Sequence, residues 1–262
     1  MHQLVIEVEN LTKTFPGGNE ALRGLNFQVR EGERVGIMGR SGAGKTTLLR
    51  LLNGSILPSG GRLKILGRSM GRIRHRQLRK LRSKIAVIQQ NYNVVPGMTV
   101  VQNVLMGRLG QCSLPGALRM ILHPTGEERD KVFEILEELE IEDKMYQPCQ
   151  DISGGQQQRV AVARALIGSP EIILADEPIA SVDSRTACVI LKQLSRLNER
   201  KGVTVIINLH QPDFATNFCS RILIMDRGFL IYDGDPREAK ELVLKQLSDQ
   251  RKEGDCCGSP PS

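Results

Sequence analysis

Long apolar runs, paired cysteines and aromatic side chains are all scarce in this 262-residue sequence. The strongest apolar run, 203–209, is interrupted by Thr204 and Asn208 and is far shorter than the ~18–20 residues that a membrane-spanning helix needs. The six cysteines include no Cys-x-x-Cys pair, which argues against a disulfide framework or a zinc site. Met1 leads into an alternating segment without the pattern of a secretory signal. We therefore expect reduced thiols in a cytosolic protein.

The composition is that of a globular chain with a small basic excess. Hydrophobic residues make up 40% and charged residues 25%, which allows a sizeable core and excludes a disordered or collagen-like chain. The formal net charge is +7. We predict a single domain over 1–248 and a disordered tail over 249–262. The Cys256-Cys257 pair in that tail lacks a prenylation signal, because position 259 is serine.

Segments typical of strands and helices alternate along the chain, which predicts an α/β fold with a largely parallel central sheet. Two alternating segments, 4–8 and 25–29, flank the turn Pro16-Gly17-Gly18-Asn19, so we expect an antiparallel β layer at the start. A later helix is predicted to begin after a Ser184 cap and to end at Gly202. Buried strands are further predicted at 34–38, 85–88, 171–175, 203–208 and 222–225, with a helix from 45 to about 53.

The middle of the chain, roughly 96–168, has helical periodicity and no convincing strand. Val132, Leu136 and Leu139 fall on one face of a predicted helix, with acidic residues between them. We expect a helical insertion between two strands of the main sheet.

A complete phosphate-loop motif follows the predicted strand at 34–38. Residues 39–46 match G-x-x-x-x-G-K-[ST], with a strand before them and an apolar-periodic helix after them. Glycines let the backbone N–H groups face one concavity, and the helix adds its positive N-terminal end. Lys45 is expected to reach the β- and γ-phosphates, and the Thr46 hydroxyl to bind Mg²⁺. The candidate nucleotide-binding residues are Gly39, Arg40, Ser41, Gly42, Ala43, Gly44, Lys45, Thr46 and Thr47.

Two carboxylates follow the predicted buried strand at 171–175. Asp176 ends this strand beside the phosphate loop, because functional groups collect at the carboxyl edge of open α/β sheets. We expect Asp176 to hold Mg²⁺ through water, and Glu177 to act as a general base toward the attacking water. An apolar strand followed by Asp-Glu is common, so this assignment depends on the phosphate loop upstream.

A third motif, Ile152-Ser-Gly-Gly-Gln-Gln-Gln-Arg159, heads a predicted helix. Together the three motifs resemble the signature of ABC-transporter ATPases, and the resemblance covers nearly the whole chain. It implies a P-loop fold of the ABC ATPase type, with a mixed central sheet, an antiparallel β layer and a helical subdomain. The core would be about 1–95 and 169–248, and the subdomain about 96–168. Ile152 and Val182 replace the more usual leucines, and both remain apolar.

The resemblance also implies roles for isolated residues. Phe15 stands where the family stacks an aromatic side chain on adenine, Gln89 matches a glutamine of the site, and His210 matches the switch histidine. The implied catalytic residues are Lys45, Gln89, Glu177 and His210, and the implied metal-binding residues are Thr46, Gln89 and Asp176. Further residues implied to contact ATP are Ser153, Gly154, Gly155, Gln156 and Asp183.

The third motif predicts more than one copy of the chain in the working assembly. Ser153 and two glycines at a helix N-terminus form a second anion cradle, although one phosphate loop already serves one nucleotide. Two copies arranged head to tail would let each signature complete the ATP site of the other at a two-fold interface.

Finer similarity points to the phosphonate-importer ATPases. The supporting segments are Ile152–Arg159, Leu174–Ser181, Leu209–Gln211, Cys219–Ile222 and Tyr232–Gly234. The resemblance implies a homodimer at the cytoplasmic face of the inner membrane, with an integral permease and a periplasmic or extracellular substrate-binding protein. Phosphite or phosphate-ester import, another importer and a regulatory ATPase remain open.

Ten Lys/Arg and no acidic residue lie between Arg62 and Lys84, and this segment could contact nucleic-acid phosphates. No aromatic residues are interleaved, and the predicted helix at 76–82 turns Leu78 and Leu81 toward a core. DNA-repair relatives carry long coiled-coil insertions, for which this chain has no room. A solvated or headgroup-facing surface is favoured, and we expect no nucleic-acid partner.

The segment 91–98 combines apolar and turn residues before the helical insertion. In the family this region forms a groove for a short permease helix, and burial within the insertion is the alternative.

Overall fold

The computed structural model describes residues 3–89, 92–180 and 182–239. The strands are β1 (Leu4–Thr14), β2 (Glu20–Arg30), β3 (Arg34–Gly39), β4 (Gly60–Ile65), β5 (Arg68–Ser69), β6 (Ile85–Ile88), β7 (Ile172–Asp176), β8 (Thr204–Asn208), β9 (Arg221–Asp226) and β10 (Phe229–Gly234). The α-helices are α1 (Lys45–Leu52), α2 (His75–Arg82), α3 (Val100–Leu105), α4 (Leu114–Leu122), α5 (Gly126–Glu138), α6 (Gly154–Leu166), α7 (Ser184–Lys201) and α8 (Pro212–Phe218). Within these ranges, none of the helices combines the length and apolar character that crossing a membrane requires.

Four strands form the predicted antiparallel layer, in the order β2-β1-β4-β5. Val8 of β1 lies opposite Phe27 of β2 and opposite Leu63 of β4, and all three side chains are buried. Both predicted strands are longer than the alternating segments that indicated them. The sequence pattern does not predict β4, because that strand opens on two glycines and buries only two of its residues.

Six strands form a mixed sheet in the order β10-β9-β3-β8-β7-β6, with β10 antiparallel to β9 and the other neighbours parallel. The predicted strands of this sheet are confirmed to within one residue at each end. The pattern does not predict β10, whose residues alternate between exposed and half-buried. Parallel strands end at a common edge, so Gly39, Asp176 and Asn208 lie at the same side of the sheet.

Two apolar cores flank the six-stranded sheet. Along β7, Leu174 packs into the core shared with α1 and the antiparallel layer, and Ile173 into the core shared with the helices. Strands covered on both faces in this way read as continuous apolar runs, which is why they were predictable.

Residues 96–168 contain helices and no named strand within the described ranges, as the sequence predicts. Val132, Leu136 and Leu139 are all fully buried, which confirms the predicted helix face. The domain limits themselves stay a prediction. The predicted tail 249–262 lies outside the described residues.

The helix predicted to follow a Ser184 cap is capped one residue earlier. Asp183 is the N-cap of α7, and its Oδ1 accepts a hydrogen bond from the Thr186 backbone N–H at 3.0 Å. Its Oδ2 also accepts from the Thr186 hydroxyl at 2.7 Å. Asp183 therefore makes two bonds to the first turn, and Ser184 becomes the first helical residue. The helix ends at Gly202, as predicted, with a left-handed φ of 66°.

Candidate functional site

The phosphate-loop residues connect β3 to α1 through a backbone that requires glycine. Gly39 has a φ of 141° and Gly44 a φ of 99°, both of which favour glycine. A Cβ on Gly39 would lie 2.1 Å from the Met225 carbonyl oxygen, and one on Gly44 would lie 2.5 Å from the Ala21 carbonyl oxygen. The loop is therefore seated closely against β9 and β2, which fixes its curvature.

Lys45, the first residue of α1, turns its side chain back into the loop. Only 6% of Lys45 is exposed, and its Nζ donates to the carbonyl oxygens of Gly39 at 2.7 Å and Arg40 at 2.9 Å. Burial lowers the pKa of Lys45, while the negative charges of Glu177 and Asp176 act in the opposite direction. A bound phosphate would add a further negative charge that favours the ammonium form.

Asp176 is held by a neighbouring strand. It lies opposite Asn208 in the pairing of β7 with β8, and Asn208 Nδ2 donates to Asp176 Oδ1 at 2.8 Å. Asn208 is fully buried, and its Oδ1 has no hydrogen-bond partner in the described part of the chain. The sequence analysis does not assign Asn208 to the site. The sequence feature that could have identified Asn208 is its position, since it places an amide at the carboxyl end of an otherwise apolar strand.

Glu177 follows β7 in a left-handed conformation, with a φ of 53°. This conformation is uncommon for a residue with a Cβ, and such residues concentrate at functional sites. Glu177 Oε1 lies 2.5 Å from His210 Nε2, and the two side chains are 19% and 46% exposed. The turn after β7 and the turn after β8 thus bring together the two residues that the sequence separates by more than thirty positions.

A cleft of about 590 Å³ contains most of the predicted site. Its size suits a small-molecule ligand. The predicted residues that line it are Phe15, Ser41, Gly42, Ala43, Gly44, Lys45, Thr46, Thr47, Glu177 and His210. The sequence analysis did not assign the other six lining residues to the site, which are Asn19, Glu20, Ala21, Arg23, Arg227 and Gly228. Lys13 Nζ lies 5.3 Å from the centre of the Phe15 ring, which places a positive charge over the face of this aromatic wall residue.

The remaining predicted site residues do not line this cleft. Gln89 is exposed, and its Oε1 accepts a hydrogen bond from the Asn93 side-chain amide. Ser153 caps α6: its Oγ accepts from the Gln156 N–H at 3.3 Å, and Gln156 Oε1 accepts from the Ser153 N–H at 2.9 Å. Asp183 is likewise outside the cleft, at the start of α7, and the Thr186 hydrogen bonds lower its pKa.

Ser153 and the two glycines after it present an exposed helix start. Gly154 has the Tyr92 hydroxyl 3.3 Å from the position of a Cβ, and Gly155 has the Thr186 hydroxyl at 3.7 Å. Ser153, Gly154 and Gly155 are all absent from the lining of the cleft, so this second helix N-terminus and the cleft are separate surfaces of one chain.

A phosphate loop between a parallel strand and a helix, with two carboxylates at the end of another strand of that sheet, defines a P-loop nucleotide-binding ATPase. Residues 22–180 match the family model described as ABC transporter, and the chain belongs to that family.

Two curated relatives cover nearly the full chain. The phosphonates import ATP-binding protein PhnC of Treponema denticola is 39% identical over 242 residues, which cover 92% of this chain and 93% of the relative. Phosphonates import ATP-binding protein PhnC 2 of Oceanobacillus iheyensis is 43% identical over 231 residues, which cover 88% of this chain and 90% of the relative.

Solved ATP-binding cassettes share the fold. The dimeric post-hydrolysis structure of the cassette MJ0796, bound to ADP and Pi, has a TM-score of 0.77 and 34% identity. That alignment covers 88% of this chain and 98% of the cassette. A nucleotide-free ABC-transporter cassette has a TM-score of 0.78 and 28% identity, with coverage of 93% and 96%. The expected ABC ATPase fold is confirmed.

Proposed function

We propose that this chain is the ATP-hydrolysing subunit that powers the import of phosphonates through a membrane permease. The observation that carries the proposal is the similarity to phosphonates import ATP-binding proteins, 39–43% identical over about nine-tenths of both chains. Phosphite and phosphate esters share the phosphorus-centred anionic group of phosphonates and belong to the same substrate class.

ATP binds in the cleft with its phosphates in the loop. The N–H groups of 41–47 and the N-terminal end of α1 attract the phosphate oxygens. Lys45 leaves its two carbonyl partners and donates to the β- and γ-phosphates, which are stronger acceptors because they are charged. Phe15, which also lines the cleft, stacks on the adenine ring.

Thr46, Gln89 and Asp176 are the residues that would hold Mg²⁺. The described residues contain no cluster of three or more His, Cys, Asp or Glu that could enclose a metal. A single carboxylate with a hydroxyl and an amide oxygen suits Mg²⁺, which keeps waters and phosphate oxygens in its shell. Bound there, Mg²⁺ would neutralise charge on the β- and γ-phosphates.

Glu177 and His210 act on the water and the γ-phosphate. Glu177 takes a proton from the attacking water as that water adds to the γ-phosphorus. His210 Nε2 holds the Glu177 carboxylate in place at 2.5 Å in the free chain. When ATP is bound, this N–H donates to the γ-phosphate instead, which leaves the carboxylate free to take the proton. The left-handed backbone at Glu177 directs its side chain into the cleft, where both residues form part of the wall.

A second copy of the chain completes the site. The helix start at 153–156, which is exposed at Ser153 and Gly154, and the Asp183 turn lie outside the chain's own cleft. They are therefore free to meet the γ-phosphate bound by a partner. The dimeric cassette with ADP and Pi supports this arrangement. We propose a head-to-tail homodimer with two ATP molecules at one interface.

The dimer works with a permease and a substrate-binding protein at the cytoplasmic face of the inner membrane. A cavity of about 610 Å³ lies between α2, β6 and the turn at 106–111, and it is large enough to receive a permease segment.

The permease contact predicted at 91–98 stays a prediction. There, Val95 is 37% exposed, and its backbone N–H and C=O both bond to the Asn103 side chain. Position 91 lies outside the described residues.

Growth on a phosphonate as the sole phosphorus source tests the proposed function. A strain without the gene should fail to grow on the phosphonate and grow normally on phosphate. The wild-type gene and a Lys131→Ala variant should restore growth, and Lys45→Ala should not. Normal growth of the deleted strain on the phosphonate, with no other phosphonate importer present, would reject the proposed substrate.

A further inference from the structure

α4 carries an apolar stripe that the described part of the chain leaves uncovered. Leu114, Leu118 and Leu122 are 86%, 61% and 56% exposed. Their spacing of four residues aligns them along one side of the helix. The helix itself is well anchored, since Met120 on its other side is buried and the Ser113 hydroxyl caps its first turn. Aligned exposed leucines on an anchored helix are typical of a contact surface.

α2 and the turn before it carry a cluster of bases without acidic partners. Arg72, Arg74, Arg76 and Lys80 are exposed, and none of them pairs with a carboxylate in the ranges that the structure describes. Three other bases of the segment 62–84 do form ion pairs, which are Arg62 with Glu9, Lys64 with Glu7 and Lys84 with Glu171. Positive charge is therefore uncompensated at α2 and compensated at either end of the segment.

The helix that carries the basic cluster contacts the segment that leads into the leucine-bearing helix. Arg79 Nη2 of α2 donates to the backbone carbonyl of Cys112 at 3.0 Å, immediately before the Ser113 cap of α4. Ser83, just after α2, approaches Gly110 to within 3.4 Å of the position of a Cβ. We call the combined region the α2–α4 surface. Its members are Arg72, Arg74, Arg76, Lys80, Leu114, Leu118 and Leu122.

We propose that the α2–α4 surface binds the headgroup layer of an anionic lipid bilayer directly. The four bases contact lipid phosphates, and the three leucines enter the boundary between headgroups and acyl chains. The inference rests on the proposed function in one respect, because the permease is what keeps the chain beside a membrane. The surface then orients the ATPase without adding contacts to the permease.

The chemistry of the surface favours a bilayer over other partners. Nucleic acid would use the bases and leave the leucines exposed. A second copy of a chain with net charge +7 would bring further positive charge toward the four bases. An anionic bilayer satisfies both features, since it offers negative phosphates above an apolar layer.

Vesicle flotation of the full-length chain, without permease or nucleotide, tests the proposal. The chain should bind vesicles containing about one-third phosphatidylglycerol, and binding should weaken between ~0.1 M and ~1 M salt because ions screen the attraction. Vesicles of phosphatidylcholine alone should bind it at least about tenfold more weakly. Arg76→Gln with Lys80→Gln, and separately Leu118→Gln with Leu122→Gln, should each weaken binding to the anionic vesicles at least about tenfold.

Matched variants separate this surface from general charge and hydrophobicity. Arg129→Gln with Lys192→Gln removes the same charge from exposed positions of α5 and α7, and Leu57→Gln with Ile231→Gln removes exposed apolar groups elsewhere. Both should bind within about twofold of wild type, because neither changes the surface that meets the headgroups. All variants replace exposed side chains, and an unchanged melting temperature confirms that they fold.

Three results would overturn the proposal. The first is failure of the chain to bind anionic vesicles. The second is a loss of binding in the matched variants as large as that in the surface variants. The third is binding that appears only when the permease is embedded in the vesicle. The last result would assign the leucines to the permease. ATP turnover and growth on a phosphonate are measured independently, so a failed flotation with both intact rejects the lipid contact and leaves the proposed function standing.

Discussion

The carboxylate of Glu177 and the imidazole of His210 meet at 2.5 Å across the carboxyl ends of two adjacent parallel strands. Glu177 follows β7 and His210 follows β8 by two residues, so the register of the sheet brings these turns together. A general base fixed by a second side chain loses little orientational freedom when water arrives. In the proposed mechanism, the pair therefore gives the cleft a preformed proton acceptor.

His210→Gln should reduce kcat at least about 10²-fold, because the carboxylate of Glu177 loses its partner and the γ-phosphate a donor. ATP binding should change far less, since the phosphate loop is intact. Turnover and ATP affinity, measured by phosphate release and calorimetry, separate the two effects. His123→Gln, at an exposed position just after α4, is the matched control and should behave as wild type. Equal kcat values for the two variants would remove His210 from the mechanism.

Asn208→Leu should raise the Mg²⁺ concentration needed for half-maximal turnover by about tenfold, the lower end for loss of a residue that orients a metal ligand. Its Nδ2 is the observed donor that fixes Asp176 Oδ1, at 2.8 Å. Calorimetric titration of Mg²⁺ into the ATP-bound chain measures the Mg²⁺ affinity directly, without turnover, and should show a loss of similar size. Gln193→Leu removes another buried amide, one that bonds to the Glu138 carbonyl on the helices. An unchanged Mg²⁺ requirement in Asn208→Leu, or the same shift in Gln193→Leu, would contradict a positioning role.

Lys45→Ala should abolish ATP hydrolysis and weaken ATP binding while the chain still folds. In the proposed mechanism the ammonium is the charge that faces the β- and γ-phosphates, and its removal also takes away the Nζ donor of the Gly39 and Arg40 carbonyls. Nucleotide titration and circular dichroism report binding and folding separately. Lys131→Ala, on exposed α5, is the control. Near wild-type turnover in Lys45→Ala would reject the assignment of the cleft.

Glu128→Gln should lower the free energy of unfolding at pH 7 by about 1 kcal/mol, because Arg119, its partner, is half-exposed and screened by solvent. Arg119 and the Thr125 backbone N–H lower the pKa of Glu128 from 4.5 to about 2. The folded state thus binds this proton less readily than the unfolded state. The stabilisation is complete above about pH 4.5 and is lost as the pH falls through about 2.

Urea unfolding of Glu128→Gln and of Glu134→Gln, which is exposed on the same helix, checks this pH dependence. The loss of unfolding free energy in Glu128→Gln, relative to wild type, should shrink steadily as the pH falls from 4.5 to about 2. The unfolding free energy of Glu134→Gln should stay close to that of wild type throughout. A deficit that is constant over this range would show that the charge of Glu128 contributes nothing.

The sequence predicted most accurately those elements whose burial is visible within one continuous segment of the chain. The parallel strands are apolar on both faces, so their limits were found to within a residue. β10 and β4 were missed, since one is half-exposed along its length and the other opens on glycines. The cap of α7 was placed one residue late, because Asp183 and Ser184 both cap helices well and only the geometry shows which reaches Thr186.

The motifs and the family resemblance named ten of the residues that line the cleft, but they did not predict the geometry of the site. Spacing along the chain cannot reveal that Asn208 holds Asp176, because that contact depends on the pairing of β7 with β8. The left-handed backbone of Glu177 is equally invisible, since glutamate has no preference for it. The roles assigned to the site residues remain predictions, and those proposed for Ser153 and Asp183 also require a second chain.

The dimer formed by Glu177→Gln in ATP and Mg²⁺ is the most direct measure of the two-copy mechanism. Glutamine keeps the size and hydrogen bonding of the side chain but cannot take the proton, so hydrolysis should slow by at least ~10²-fold while ATP remains bound. Size exclusion should give a stable dimer with ATP and a monomer with ADP. Adding Ser153→Arg, which crowds the γ-phosphate of the partner, should abolish the dimer and leave nucleotide binding intact. A Glu177→Gln chain that stays monomeric in saturating ATP and Mg²⁺, even with the permease supplied, would contradict the account.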